Sequence, residues 1–181
     1  PDSRFRKSTG TLDGDEGVVE VSAEGLAKLK PVKDGGSITF GGQTHPADGT
    51  VGLMVTTADG ARRQASDPGI QIRIRGFGQS RTEKGFMPQA PVEAAQRALN
   101  DADLGIGDID AVKSHNPFAV NDIVFSRETG FDLENMNNFG CSLIWGHPQG
   151  PTGLRCIIEL IEELALRGGG RGLFQGCAAG D

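Results

Sequence analysis

An amphipathic segment near the end of the sequence constrains the fold more than any other feature. Between Thr152 and Leu166 the apolar residues recur at the spacing of one helix face. The spacing predicts a buried face made of Leu154, Ile157, Ile158, Ile161, Leu164 and Ala165, and a water-facing set made of Arg155, Glu159, Glu162, Glu163 and Arg167. Gly168–Gly170 ends this helix, and Leu173–Gln175 is predicted to be a strand.

Strands and helices alternate before this helix as well. Gln71–Gly78 alternates with period two and is predicted to be a strand, and Pro91–Leu104 has apolar residues on one helical face. Ile109–Val112 is a further strand candidate, and Phe118–Thr129 is predicted to be a helix. The 28 glycines cluster mostly where apolar segments end. Together these features predict an α/β fold with βαβ units and a parallel or mixed sheet.

The first third of the sequence is less regular. Residues 1–34 are polar and are interpreted as a surface segment with one short helix over Ala23–Leu29. Thr50–Thr57 is apolar enough for a strand or a buried helix, whereas Asp59–Pro68 is polar and is interpreted as a linker.

Charge and composition exclude several classes of function. Acidic residues outnumber basic ones by 24 to 18, which argues against a nucleic-acid partner. The apolar runs are far shorter than the ~20 residues of a membrane span, so no membrane association is expected. The three cysteines form no CxxC pair, which disfavours a disulfide framework or a zinc site and favours a reducing compartment, the cytoplasm.

Three reactive side chains each follow an apolar segment. His115 comes after Ile109–Val112, His147 stands directly before the long helix, and Cys177 follows Leu173–Gln175. Because ligands of α/β proteins bind beyond the carboxyl ends of strands, these residues are candidates for acyl transfer or for proton abstraction beside a carbonyl. The alternative is structural: a loop histidine that only forms hydrogen bonds, and a cysteine that fills apolar space. Asn121 and Asp122 are interpreted as polar helix surface.

The sequences around these residues carry a family resemblance. Gly146–Gly153 reads GHPQGPTG, His115–Phe118 reads HNPF and Cys177–Ala179 reads CAA. They resemble the GHPxGxxG, NEAF and CxG motifs of the thiolase family, the acyl-CoA acetyltransferases, some of which begin the second motif with His. Leu26–Pro31 and the segment from Met87 resemble the family's LAKLKP and MGxGPVPA stretches.

The resemblance implies a role for each reactive residue. His147 would activate a nucleophilic cysteine and help to bind the thioester oxygen, and Cys177 would be the acid/base that handles the proton of acetyl-CoA. His115 would serve the first oxyanion hole as a direct imidazole donor, where the family usually has a water held by Asn. Ala179 would give its N–H to the second oxyanion hole, in place of the family's glycine.

Four further residues are implied to bind substrate. Met87 and Phe118 would line the pantetheine tunnel, Thr44 would lie near a loop that touches coenzyme A, and Asn116 would join them. A core or exposed apolar role is the alternative for Met87, Phe118 and Thr44. The coenzyme A thioester is a substrate, and neither a metal nor a redox cofactor is implied.

The family also implies a layered αβαβα fold built from two similar halves. Residues 1–34 would be the remnant of a loop region, residues 35–66 the last strand region of the N-terminal half, and residues 67–181 the C-terminal domain without its last strand. Thiolases carry their nucleophilic cysteine in the first half of a chain about twice as long, and Cys141 and Cys156 are interpreted as structural.

The predicted function is that of an acyl-CoA acyltransferase that makes or cleaves a 3-ketoacyl-CoA, with a cysteine nucleophile outside this chain. Acyl-CoA or coenzyme A would be its ligand. A homodimer or homotetramer, or a complementary chain that supplies the cysteine, would be the assembly. Two alternatives stay open: a non-catalytic acyl-CoA-binding subunit, and a condensing enzyme of ketoacyl-synthase type, in which Cys177 has no role.

Overall fold

Two parallel strands and six helices organise this chain in a computed structural model, which describes Arg4 and residues 6–178. In chain order the elements are α1 (Ala23–Ala27), α2 (Ala58–Gln64), α3 (Ala90–Asp101), β1 (Ala111–His115), α4 (Ala119–Thr129), α5 (Ser142–Trp145), α6 (Thr152–Leu166) and β2 (Gly172–Gly176). Short 3₁₀ turns cover Phe40–Gly42, Met87–Gln89, Ile106–Asp108 and Leu133–Asn135. Within the described ranges, no helix is both long and apolar enough to cross a bilayer.

The strands pair in parallel, as the sequence predicted. Their register runs from Ala111 opposite Gly172 to His115 opposite Gly176. All five residues of β1 are buried, so this strand lies at the centre of the layers. The parallel pairing brings the carboxyl ends of both strands to the same edge.

Helices cover both faces of this strand pair. On one face Val112 and Leu173 pack with Leu99 of α3 and Phe125 of α4 in the main apolar cluster. On the other face α6 lies so close that a Cβ on Gly172 would stand 2.8 Å from the Leu160 side chain. The result is a helix–sheet–helix layering, which is an α/β architecture.

Helix α6 has the predicted bounds, but the predicted buried face was wrong. The buried residues are Thr152, Cys156, Leu160 and Glu163, whereas Leu154 is 40% exposed. The face against the strands carries the small Thr152 and Cys156, which permit a close approach of the helix. Glu163, predicted to face water, is buried because Asn138 and Arg167 both bond its carboxylate.

The first third of the chain differs most from prediction. Helix α1 is confirmed, but α2 occupies the segment interpreted as a linker, where Thr57 caps the helix through the N–H of Gly60. Neither Thr50–Thr57 nor Gln71–Gly78 forms a strand with any described residue. Alternation of side chains does not specify a neighbouring strand, and without one no ladder forms.

Two glycines of the Gln71–Gly78 segment are explained by packing. A Cβ on Gly76 would lie 2.3 Å from the carbonyl oxygen of Ala98, and a Cβ on Gly78 would lie 2.0 Å from that of Ala94. The segment therefore lies directly on the backbone of α3, which only glycine permits at these two positions.

Candidate active site

The carboxyl ends of β1 and β2 place the candidate residues together. His115 is the last residue of β1 and pairs with Gly176, the last residue of β2, and Cys177 follows immediately. A Cβ on Gly176 would lie 2.9 Å from the Cβ of His115. A glycine is therefore required here, because the backbone of β2 passes directly beside the imidazole-bearing residue.

The rings of His115 and His147 are in contact and are tilted relative to each other. Their centroids are 4.4 Å apart, with 34° between the planes. His147 follows Gly146, whose φ of 79° permits the turn after α5, and its N–H donates to the carbonyl of His45 at 2.8 Å. Its Nδ1 is 2.7 Å from the hydroxyl of Thr152, the first residue of α6. Two backbone constraints and one side-chain bond thus fix the position of this imidazole.

Both imidazoles are held neutral near pH 7. Burial, followed by the charges of His147 and Arg155, lowers the pKa of His115 to about 4. Burial and then Arg155 also lower the pKa of His147. A neutral imidazole has one nitrogen that donates and one that accepts a hydrogen bond, so each ring is suited to proton transfer or to oxyanion binding.

Cys177 is half-buried at the neighbouring strand end. The side-chain amide of Asn121 donates to its sulfur at 3.9 Å. Burial raises the pKa of Cys177, opposed by a backbone hydrogen bond and by Asn121. The side chain is therefore a thiol at neutral pH and is suited to giving up a proton.

A buried polar network includes Ser114 and Asn116, the two sequence neighbours of His115, and it was not predicted. Asp122 accepts hydrogen bonds from Ser114 and Asn116, both at 2.5 Å, and from Asn137 at 3.1 Å. Burial raises the pKa of Asp122, and these three bonds oppose that rise. The interpretation of Asn121 and Asp122 as helix surface was wrong, because both point toward the strand ends; Asn121 is 2% exposed.

A chain of charged residues lies on the α6 side of β1. Lys113 is fully buried, and its Nζ lies 2.9 Å from a carboxylate oxygen of Glu159. The other oxygen of Glu159 is 3.4 Å from Nε of Arg155. Arg155 and Glu159 were predicted to face water, but both turn inward. The buried Lys113 ammonium requires the Glu159 carboxylate as its counter-charge, and Arg155 pairs with the other oxygen of that carboxylate.

The predicted substrate residues lie in two places. Met87, Phe118 and Arg127 are among the residues that line an apolar groove of about 460 Å³, and Met87 also borders a smaller cavity next to Cys177. Thr44 and Asn116 lie behind the histidines: Thr44 donates its hydroxyl to the carbonyl of Ser142, and Asn116 accepts from the Ser142 N–H at 3.1 Å.

The remaining predicted residues are two cysteines interpreted as structural and one alanine assigned to an oxyanion hole. Cys141 and Cys156 are buried, and burial raises the pKa of Cys156. Ala179 lies outside the described residues. Across the described part of the chain, no group of three or more His, Cys, Asp or Glu residues is arranged to hold a metal ion.

Comparisons with known proteins identify the family. Residues 69–181 match the family described as "Thiolase, C-terminal domain". Acetyl-CoA acetyltransferase of Chromobacterium violaceum is 31% identical over 171 residues, which are 93% of this chain and 43% of that protein. The crystal structure of the Bacillus anthracis acetyl-CoA acetyltransferase aligns with a TM-score of 0.82 and 32% identity, over 92% of this chain and 42% of that one. Human mitochondrial 3-ketoacyl-CoA thiolase in complex with CoA aligns over the same shares, with a TM-score of 0.78 and 28% identity.

The fold and the site together define the class of protein: an α/β protein with two imidazoles and a thiol at one edge of its sheet. Within that class, the chain belongs to the thiolase family. The family and fold predicted from the motifs are confirmed, and the aligned part is the C-terminal part of the thiolase fold. The chain spans less than half the length of the relatives it matches.

Proposed function

We propose that the protein containing this chain is a thiolase-type acyltransferase that makes or cleaves 3-ketoacyl-CoA through a cysteine acyl-enzyme. The observation that carries the proposal is the pairing of His115 and His147, 4.4 Å apart, at the strand edge that also bears Cys177. Two imidazoles and a thiol supply the proton transfers and the oxyanion donors that carbon–carbon bond cleavage next to a carbonyl needs. The names of the relatives indicate the same chemistry.

Each residue has one task in the proposed reaction. In the cleavage direction, the sulfur of a nucleophilic cysteine, supplied from outside this chain and activated by His147, bonds to the C3 carbonyl carbon. The bond between C2 and C3 then breaks, and Cys177 gives its proton to C2, so that acetyl-CoA leaves. His115 donates a hydrogen bond to the oxygen on which negative charge develops. The thiol of coenzyme A finally gives its proton to the Cys177 sulfur and takes the acyl group. The nucleophilic cysteine leaves with the electrons of the broken thioester bond and regains its proton from His147.

The electrostatics of the site support this division of tasks. A raised pKa keeps the proton on Cys177 until a carbanion needs it. A pKa of about 4 keeps His115 neutral, so that it acts as a donor and not as a competing acid. For the reverse condensation, the same sulfur would have to be in its thiolate form to take the proton from C2 of acetyl-CoA.

The apolar groove supports a path for the substrate. We assign Met87 and Phe118 to contact with the pantetheine arm, because they line the groove and Met87 also borders the cavity at Cys177. Thr44 and Asn116 are assigned to support of the histidine loops, because each of them bonds to Ser142 behind the site. A homodimer or homotetramer, and a cytoplasmic location, complete the proposal.

Replacement of His147 tests the proposal. In the complete enzyme His147→Ala should lower turnover by at least ~10³-fold, by analogy with other lost catalytic groups. Arg62→Ala, at an exposed ion pair on α2, is the matched control and should leave turnover unchanged. Near-normal turnover of a folded His147→Ala protein would contradict the assignment.

A second candidate is a non-catalytic acyl-CoA-binding subunit. It is favoured by the burial of Cys141 and Cys156, since the remaining described cysteine, Cys177, is already assigned to proton transfer. Turnover and coenzyme A binding, measured on the same protein, separate the two candidates. An enzyme should cleave 3-ketoacyl-CoA, and Cys177→Ser should lower that cleavage strongly while coenzyme A still binds. Binding of coenzyme A without any cleavage favours the binding subunit.

A further inference from the structure

We infer that Ser142 and Arg155 are positioning residues that fix the tautomer of His115, so that the ring proton is on Nε2 and Nδ1 is an acceptor. The inference rests on the proposed function for the use of that proton, as the hydrogen bond to a substrate oxygen. The tautomer itself follows from three side chains and from what each of them is able to donate.

The Ser142 hydroxyl decides the direction of the hydrogen bonds. Ser142 is fully buried, and two side chains contact its Oγ in the described structure: Nη2 of Arg155 at 3.2 Å and Nδ1 of His115 at 3.4 Å. A guanidinium donates hydrogen bonds and never accepts them. The hydroxyl therefore accepts from Arg155, and its own proton is free for His115 alone.

The other arrangements of protons leave a buried group without a partner. With the proton on Nδ1, both the imidazole and the guanidinium would donate to Ser142, and the hydroxyl proton would have no acceptor. A doubly protonated ring would have the same defect and would also face the charge of Arg155. A proton on Nε2 satisfies all three groups.

Arg155 is held firmly enough to impose this direction. Its Nη1 donates to the carbonyl of Gly146 at 3.3 Å, next to His147. Its Nε lies 3.4 Å from Glu159, whose other carboxylate oxygen is 2.9 Å from the fully buried Lys113. Lys113 in turn donates to the carbonyl of Gly140 at 2.7 Å. The guanidinium is therefore anchored at both ends, and its charge is one cause of the low pKa of His115.

The consequence for the site is a donor with a defined direction. With Nδ1 bonded to Ser142, Nε2–H is the group of His115 that remains for a substrate oxygen. The sequence gives no hint of this, because Ser142 and Arg155 lie 27 and 40 positions beyond His115, and only the fold brings them together.

Nuclear magnetic resonance of the complete protein with ¹⁵N-labelled histidine tests the tautomer without any assay of activity. At pH 7, Nδ1 of His115 should show the shift of an unprotonated nitrogen and Nε2 that of a protonated one, with His115→Gln used to assign the signals. Ser142→Ala should give a mixture of tautomers. Ser126→Ala removes a hydroxyl bonded to a backbone carbonyl away from the site, and should change nothing. A protonated Nδ1 in the unaltered protein would overturn the inference.

Kinetics of the same variants test the use of the proton. Ser142→Ala should lower kcat by roughly 10–100-fold with little change in KM, because the lost bond matters when the oxyanion forms. Ser142→Thr keeps the hydroxyl and should recover most of the rate. An equal loss in Ser126→Ala, or no loss in Ser142→Ala, would count against the inference. If the unaltered protein has the expected tautomer but no thiolase turnover, the proposed function fails and the tautomer assignment stands.

Discussion

The part of the chain before α3 and the part from α3 onward differ in how much apolar surface they bury. Every buried apolar side chain in the described structure lies between Pro91 and Leu173. In the earlier part, Val19, Met54 and Phe77 are each at least 70% exposed. The later part therefore has a core of its own, whereas the earlier part does not.

The earlier part nevertheless reaches the site, and it does so through its backbone. Gln43 bridges to Phe118, and Pro46 bridges to His147. The N–H of Thr44 donates to the carbonyl of Pro117 at 2.8 Å. A segment that buries little apolar surface thus holds the loops of both histidines. In this molecule, therefore, the residues that position the site are not the ones that supply the core.

A substitution in the later core should have the largest effect on stability. Phe125 is fully buried between α4 and the strands, so Phe125→Ala should lower the free energy of unfolding by about 3–5 kcal/mol through lost burial and a cavity. Urea denaturation measures this change. A decrease in the free energy of unfolding below ~1 kcal/mol would contradict the conclusion that this part contains the core.

Acid should destabilise the later part through its histidines. The pKa of His115 falls from 6.5 to about 4 on folding, so the unfolded chain binds more protons between these two values. Stability is therefore full above pH 6.5 and is lost as the pH falls toward 4, by an amount on the order of 3 kcal/mol. The lowered pKa of His147 has the same sign, and the raised pKa of Asp122 has the opposite one. Urea denaturation as a function of pH should show a shallower loss for His115→Gln, and an unchanged profile would contradict the prediction.

A smaller effect is expected where the two parts touch. Gly78→Ala would force a Cβ to 2.0 Å from the carbonyl oxygen of Ala94, in the backbone of α3. We expect a loss of about 1–3 kcal/mol, because the helix backbone cannot move aside. Gly52→Ala is the matched control, since its Cβ would meet nothing within 4 Å. Thermal unfolding of both variants measures the difference, and equal melting temperatures would show that the contact is loose.

The smallest effect is expected at an exposed apolar residue of the earlier part. Phe77 is 73% exposed, so Phe77→Ser should change the free energy of unfolding of this chain by no more than about 0.5 kcal/mol. Urea denaturation should also measure the effect of the same substitution in the complete protein, for comparison with its effect in this chain. A cost of several kcal/mol there would mean that another part of the protein covers this face.

Sequence patterns predicted the elements of the later part well, for a physical reason. Helix α6 has its predicted bounds, and the strand candidates at 109–112 and 173–175 overlap β1 and β2. A helical periodicity and two short apolar runs mark these elements in the sequence, although the face that α6 buries is not the predicted one. The earlier part was predicted poorly. Gln71–Gly78 has the alternation of a strand, but pairing depends on a neighbour that a local pattern does not reveal.

The residues of the candidate site were visible only in part. The motifs singled out His115, His147 and Cys177, and the structure places them at one edge. Glu163, Asp122 and Lys113 were misread or passed over, because a charged residue ordinarily faces water and only its partner in the fold shows otherwise. The buried partners of the site come from α4, the loop after it and α6, so no local spacing in the sequence connects them.

The burial of β1 has a consequence for motion. Its five residues are buried and paired in register with β2, so the amide hydrogens that bond to β2 should be among the slowest in the chain to exchange with solvent. Amides of such strands exchange mainly when the whole domain opens. We therefore expect the backbone geometry at His115 to persist for as long as the fold does.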